Sequence, residues 1–289
     1  MFAEEWPLMM FTLISQLAVG SFVILSLVRF ALIKQDPLLA AGVTNPGFKA
    51  VGAVMVLALL LSVFHLGSPF GAYRAILNLQ SSWLSREIVA ASGFLFFWFL
   101  SYRSYQKEQP SQLLAALTSL IGLAVILCMG SIYSHSVRPA WTDANTYIAF
   151  FGATFALGSL GAAAFIAYAA RHLAGVAAIG SQLKKVSFIA GAAVFLPLLY
   201  LPVYIGGLAG GNVAAQASAQ LLTSSYQGLL VLKGILSLAG AGLGFAIWRG
   251  GRFTSPQWAY LAFGLVMLGE FVGRYVFYGA AVSTAIGLN

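Results

Sequence analysis

The sequence predicts an all-α, polytopic integral membrane protein. It reads as a bundle of eight transmembrane helices in a single membrane domain over residues 1–289, with both termini on the outer, periplasmic side. Three observations lead there. Of the 289 residues 60% are hydrophobic and only 8% charged, whereas a soluble domain carries about 25% charged residues. Eight stretches are long and apolar enough to cross a hydrocarbon core, which takes about 20 residues of helix. The basic residues also alternate from loop to loop, as they do in membrane proteins of fixed orientation. The same composition excludes a soluble globular enzyme and a disordered chain, since disorder needs low hydrophobicity.

The eight stretches are roughly 8–30, 48–66, 86–102, 112–134, 144–170, 186–206, 226–248 and 256–280. The first follows Glu4 and Glu5 and lacks the basic region of a cleavable signal, so it stays as a helix. The third is short and the fifth long, which predicts different tilts. No stretch alternates as the strands of a membrane barrel do. The gaps at 67–84 and 207–225 are where extramembrane structure fits, and no repeat relates the two halves.

The formal net charge of +8 would suggest nucleic acid in a soluble protein; here it sorts by loop, and no nucleic-acid partner is expected. Arg29, Lys34, Lys49, Arg103, Lys107, Arg171, Lys184, Lys185, Arg249 and Arg252 fall in the odd-numbered loops, and Arg74, Arg86 and Arg138 in the even ones. Lys and Arg mark cytoplasmic loops, so the odd loops are read as cytoplasmic and the termini as outside. Trp6, Trp83 and Trp141 would then anchor the outer interface. The lone cysteine, Cys128, closes no internal disulfide and holds no iron–sulfur cluster, which needs several thiolates; any such cluster sits on a partner.

Polar and ionisable groups inside a membrane segment are costly and need a partner, a cavity or a task. With this orientation they gather in the outer half. Gln16 lies about two turns down the first span, His65 ends the second, and Arg86 and Glu87 open the third. Lys233 lies about 10 Å and Glu270 about 15 Å below the outer ends of their spans, at 1.5 Å per residue. No equivalent group is read in the inner half away from the interface. His65 either serves the last carbonyls of its helix or sits at a break before Ser68-Pro69, a pair suited to open a short helix. Glu87 has Ser85 as a candidate N-cap, and a carboxylate there is favoured by the helix dipole alone. Glu270, Arg274 and Tyr278 share one face at four-residue spacing. That face is either a self-neutralising pair in a Gly269 and Gly273 packing seam or a proton-handling or ligand-binding surface, with Lys233 as a second partner for Glu270. Of the histidines only His65 and His135 share a side, both at span ends. No haem is therefore expected, and no nucleotide-binding or hydrolase motif occurs.

The segments Glu5-Trp6-Pro7-Leu8, His65-Leu66-Gly67-Ser68-Pro69, Leu84-Ser85-Arg86-Glu87-Ile88, and Gly269-Glu270 through Gly273-Arg274 to Phe277-Tyr278-Gly279 resemble the membrane-anchor subunit of the bacterial dimethyl sulfoxide reductase family. The length, the eight spans and the outer termini are similar to that family too. The motifs cover the first third and the last span, while 103–255 contributes helix count. The resemblance implies a multi-pass subunit of the bacterial cytoplasmic (inner) membrane that binds and oxidises menaquinol without haem or metal of its own. It implies an iron–sulfur electron-transfer subunit and a molybdopterin catalytic subunit as partners, in a complex that reduces S-oxides or N-oxides in anaerobic respiration. Terminal reduction would occur on the catalytic subunit and quinol oxidation on this one. His65 and Glu87 match the family's quinol-site residues. Ser68 and Arg86 join them from the same motifs, and Glu270, Arg274 and Tyr278 are added from their spacing. The alternatives are a passive anchor, or a proton-translocating or transport subunit of a related eight-helix redox complex, which would need polar groups through the inner half.

Overall fold

In hydrocarbon a backbone N–H or C=O finds no water, so each spanning segment closes its own hydrogen bonds as a helix. The computed structural model describes residues 2–63, 78–107, 110–171, 176–249 and 256–284. In sequence order they form α1 (Phe2–Ile33), α2 (Pro37–Val63), α3 (Trp83–Tyr105), α4 (Gln112–Ser134), α5 (Asn145–Ala170), α6 (Val176–Ala209), α7 (Val213–Thr223), α8 (Gln227–Trp248) and α9 (Pro256–Gly279). Eight are long and apolar enough to cross a membrane; α7, with 11 residues, is too short. It occupies the 207–225 gap, capped by the Asn212 side chain on the Ala215 N–H at 2.9 Å. The 67–84 gap lies largely outside the described residues.

Four helices, α1, α2, α3 and α6, start earlier than their hydropathy suggests. The first turn of α2 is built on Asp36, whose carboxylate accepts from the Leu39 N–H at 2.9 Å. Pro37 follows at the first helical position, where its missing N–H costs nothing. Loop one is thus only the turn around 34–36, and Arg29 is not a loop residue: it is buried inside the bundle on α1. Lys49 likewise rides exposed on α2, and Lys184 and Lys185 on an α6 that begins at Val176. The N-cap of α3 is Ser82 rather than Ser85; its hydroxyl accepts from the Ser85 N–H at 3.3 Å. Glu87 therefore lies beyond the first turn, where the pull of the helix dipole has fallen off.

The central pair is α1 and α5. α1 packs on α2, α4, α5, α6 and α9, and α5 on α1, α2, α4, α6, α8 and α9. They cross at Gly20 and Gly158, where the backbones touch: a Cβ on Gly20 would stand 2.0 Å from the Thr154 carbonyl oxygen, and one on Gly158 2.4 Å from the Gly20 Cα. Small residues at such a crossing let helices approach closely without a hydrophobic driving force. Trp98 of α3 docks in a similar notch on α2: a Cβ on Gly52 would overlap its ring, and its Nε1 donates to the Phe48 carbonyl at 2.8 Å.

An aromatic layer closes the end of the bundle that carries both termini. Tyr133 of α4 and Trp141 of the following 3-10 turn (Pro139–Trp141) meet Phe150 of α5 and Phe277 and Tyr278 of α9, with ring centroids 5.1–5.9 Å apart. Trp141 Nε1 donates to the Phe277 carbonyl at 2.8 Å, which ties the end of α9 to the α4–α5 connection.

The crossing makes one strong demand. Gly20→Ala forces α1 off α5 because the atom it meets is backbone, and overpacking of this kind costs about 1–3 kcal/mol or more. Thermal unfolding in detergent should show a marked loss of stability, whereas Gly191→Ala, where an added Cβ meets nothing within 4 Å, should leave it unchanged. Equal effects would contradict the crossing.

Candidate functional site

α1, α2 and α3 diverge at the terminal end and leave a cavity of about 270 Å³ between them, lined by Leu8 and Phe11, by Leu59, Ser62 and Val63, and by Leu84, Glu87, Ile88, Ala91 and Ser92. Its walls are mostly apolar, with Ser62, Glu87 and Ser92 as the polar members. Ser62 spends its hydroxyl on the Leu59 carbonyl of its own helix at 2.8 Å. Glu87 is 5% exposed, and no hydrogen-bond partner for its carboxyl lies among the described residues. Buried polar groups are almost always hydrogen-bonded, so a carboxyl that lines an apolar cavity without a protein partner is suited to a ligand hydroxyl. At the rim, Val63 and Leu84 are 42% and 50% exposed and face outward where lipid would lie.

Arg86 turns away from this cavity. Its guanidinium donates to the carbonyls of Leu79 at 2.8 Å and Gln80 at 2.6 Å and lies 4.2 Å over the Trp83 ring. It holds the segment before α3 and does not line the cavity. His65 and Ser68 lie outside the described residues; His65 follows the cavity-lining Val63 by two positions in the sequence.

Glu270, Arg274 and Tyr278 share one buried face of α9, as their spacing predicts, but the face meets three different neighbours. Glu270 pairs with Lys233 of α8 at 3.5 Å and accepts from Ser237 Oγ at 3.4 Å. Gly269 and Gly273 make the room: a Cβ on Gly269 would meet Ser237 Oγ at 2.4 Å, and one on Gly273 would meet the Lys233 side chain at 2.7 Å. Arg274 donates to Gln16 Oε1 of α1 at 2.9 Å and lies 3.8 Å over the Phe150 ring. Tyr278 shares a hydrogen bond with the hydroxyl of Tyr133. None of the three lines the Glu87 cavity.

Two residues are missed by the sequence reading. Tyr133 joins α4 to α9, because its hydroxyl shares a hydrogen bond with Tyr278 and its ring packs on Trp141, Phe150 and Phe277; its only signal is a tyrosine in the last turn of the fourth span. Arg29 places a buried cation in the other half of the bundle, where none is expected. It donates to Thr44 Oγ1 at 3.0 Å, Asn45 Oδ1 at 2.6 Å and the Tyr105 carbonyl at 3.0 Å, with the Tyr105 ring 4.6 Å away. The Tyr105 carbonyl is one of the free acceptors at the end of α3, so Arg29 pins α2 and α3 to α1.

A family model described as "DMSO reductase anchor subunit (DmsC)" matches residues 1–280. The anaerobic dimethyl sulfoxide reductase protein YnfH of Escherichia coli (strain K12) is 27% identical over 99% of this sequence and 98% of its own length. The C-chain of anaerobic dimethyl sulfoxide reductase from the same organism is 28% identical over 99% and 98%. The C-chain of the Haemophilus influenzae (strain ATCC 51907 / DSM 11121 / KW20 / Rd) enzyme is 26% identical over 54% of this sequence and 56% of its own.

The Lys233–Glu270 pair can be weighed by a double-mutant cycle. Removing one partner of a buried ion pair strands the other and costs about 3–5 kcal/mol, whereas replacing both is far milder. Lys233→Met and Glu270→Gln should each lower the unfolding temperature in detergent, and the double variant should recover much of the loss. Simple additivity would show that the two do not interact.

Proposed function

The chain belongs to the DMSO reductase anchor subunit family, and from that premise we propose that it oxidises menaquinol in the cytoplasmic membrane. Its electrons go to an iron–sulfur subunit that feeds a molybdopterin catalytic subunit reducing an S-oxide or N-oxide. The observation that carries this reading is Glu87, a buried carboxyl without a protein partner among the described residues, in an apolar cavity beside the end of α2. The cavity is somewhat smaller than the roughly 300–1,000 Å³ that engulfs a drug-sized ligand. That size suits a ring head group whose tail leaves past Val63 and Leu84 into lipid.

In this site Phe11, Leu59 and Ile88 hold the ring, and Glu87 accepts the hydrogen bond of one quinol hydroxyl. Oxidation breaks two O–H bonds and releases two protons and two electrons. Glu87 takes one proton as general base, the kind of group that must lie within hydrogen-bond reach of the proton it removes. His65, two residues beyond the cavity wall in sequence, is assigned the other hydroxyl; an imidazole exchanges protons near neutral pH. Arg86 supports the site by holding the segment before α3. The terminal end faces the periplasm, so both protons are released there.

Arg29 is what the alternative of proton translocation would draw on. It bonds neutral oxygens only, and between it and Arg274 the backbones of α1 and α5 are in contact at Gly20 and Gly158. The quinol reading is therefore preferred.

In the assembled complex Glu87→Gln should keep normal assembly and normal reduction of the terminal acceptor from an artificial dye donor, while quinol-dependent reduction falls by about 10²-fold or more; His65→Ala should do the same. Retained quinol oxidation in both variants would refute the site. For orientation, Val137→Cys at the terminal end should react with an impermeant thiol reagent in intact cells and Lys107→Cys only after lysis; the reverse pattern would invert the topology.

A further inference from the structure

We propose that the groove between α2, α5 and α9, toward the end of the bundle away from the termini, binds an anionic phospholipid, with one acyl chain in the groove and the phosphate at its mouth against Arg171 and Lys49. The inference goes beyond the quinol reading and does not depend on it, since the groove shares no residue with the Glu87 cavity.

The groove has a volume of about 550 Å³. Gly161, Ala164, Phe165 and Tyr168 form its floor, one face of α5 at three- and four-residue spacing. Pro46 of α2 makes one wall, and Tyr260 and Phe263 of α9 make the other. Pro46, Tyr168 and Tyr260 are exposed on the lipid-facing side. The inner end is closed: a Cβ on Gly161 would stand 2.7 Å from Leu17 Cδ1 and 3.5 Å from the Phe263 ring. From Gly161 to Tyr168 the floor runs about two helical turns, or about 10 Å. One leaflet's share of the hydrocarbon core is about 15 Å. The groove is thus a slot within one leaflet, closed at depth. It suits an acyl chain that enters from the head-group side, and not a helix that spans the bilayer.

The mouth selects the charge of the head group. Tyr168 and Tyr260 flank it, and Trp258 is exposed close by on α9; tyrosine and tryptophan gather at the level where acyl chains meet head groups. Arg171, which ends α5, lays its guanidinium 3.9 Å over the Tyr168 ring, so a cation is held at the mouth. Lys49 is exposed on the same face of α2 as Pro46, one turn on. Facing lipid, it must carry its ammonium toward the head groups. Among the described residues no acidic side chain lines the groove. Two cations beside an apolar slot without a carboxylate complement a phosphate that bears net negative charge. On the orientation proposed above this is the cytoplasmic leaflet, where basic clefts between membrane helices hold anionic head groups. The bound lipid bridges α2, α5 and α9 and stabilises the bundle, as any ligand held only by the folded state does.

The test uses the complete purified complex, stripped of lipid in mild detergent, as the parent and with Arg171→Gln, Ala164→Leu or Lys184→Gln. Lys184 is exposed on α6, which does not line the groove, and serves as the control. Each form is titrated with phosphatidylglycerol, with phosphatidylcholine and with soluble glycerol phosphate while its unfolding temperature is followed. The parent and Lys184→Gln should be stabilised by phosphatidylglycerol alone. Arg171→Gln should need at least about fivefold more of it, and Ala164→Leu, which fills the slot without changing charge, should not respond. Equal stabilisation of the parent by phosphatidylcholine would overturn the anionic head group, and equal stabilisation by glycerol phosphate would overturn the role of the chain. A loss in Lys184→Gln as large as in Arg171→Gln would overturn the site in favour of diffuse surface charge. A dimer of complexes that Ala164→Leu dissociates would overturn it in favour of a second copy. Should Ala164→Leu fail to assemble, phosphatidylglycerol with a photoreactive acyl chain reads the same groove in the parent. Label should fall on the peptides that hold Ala164, Phe165 or Phe263, and label spread evenly over the lipid-facing helices would overturn the proposal.

Discussion

A charge carried into hydrocarbon has to be met by the protein itself, and the buried polar architecture follows from how each charge is met. Arg29 is met by a side-chain hydroxyl, a side-chain amide and a helix-end carbonyl, Arg274 by Gln16 and an aromatic face, and Lys233 and Glu270 by each other. Each solution also joins helices: α1 to α2 and α3, α9 to α1 and α5, and α8 to α9. Electrostatic satisfaction and helix assembly are thus one set of contacts. Glu87 departs from the pattern, since it is buried but turned to a cavity. On the quinol reading proposed above, a ligand completes the structure there.

α1 coordinates these demands along one helix. Leu8 and Phe11 form a wall of the cavity, Gln16 fixes Arg274, Gly20 admits α5, and Arg29 ties in α2 and α3. The backbone contact at Gly20 and Gly158 sets how closely α1 and α5 approach, and through them how Phe150 meets Arg274. The glycines of α9 act in the same manner on a smaller scale. Without the open surface at Gly269 and Gly273, Ser237 and Lys233 could not lie close enough to reach Glu270.

Much of this was legible in the sequence because the bilayer imposes a length on every span. Helices α4, α5, α8 and α9 match their apolar stretches to within a residue. The start of α2 was not legible: Pro46 and Lys49 look like a boundary, and only the Asp36–Pro37 capping pair reveals that the helix begins earlier. The end of α1 was misjudged as well: it runs to Ile33, so Arg29, counted with the first loop, lies on the helix. On α9, four-residue spacing gave the shared face of Glu270, Arg274 and Tyr278, and depth suggested Lys233 as a partner. What each residue of the face touches depends on helices distant in sequence. Tyr133 and Tyr278 are 145 residues apart, so no local pattern joins them, and Tyr133 had nothing to distinguish it from a packing residue. Arg86 looked like a site residue because it precedes Glu87, yet successive helical residues point in different directions, and it serves the loop before α3 instead.

The central claim is that the quinol ring sits in the α1–α2–α3 cavity against Glu87. Photo-crosslinking tests it most directly: a quinol analogue bearing a photoreactive group on its ring is irradiated in membranes containing the assembled complex, and the labelled peptides are mapped. The account predicts label on the cavity walls, at Phe11, Leu59 or Ile88, competed by excess unlabelled quinol. Competable label confined to the apolar groove beside Pro197 between α5 and α6, with none on α1, α2 or α3, would contradict it.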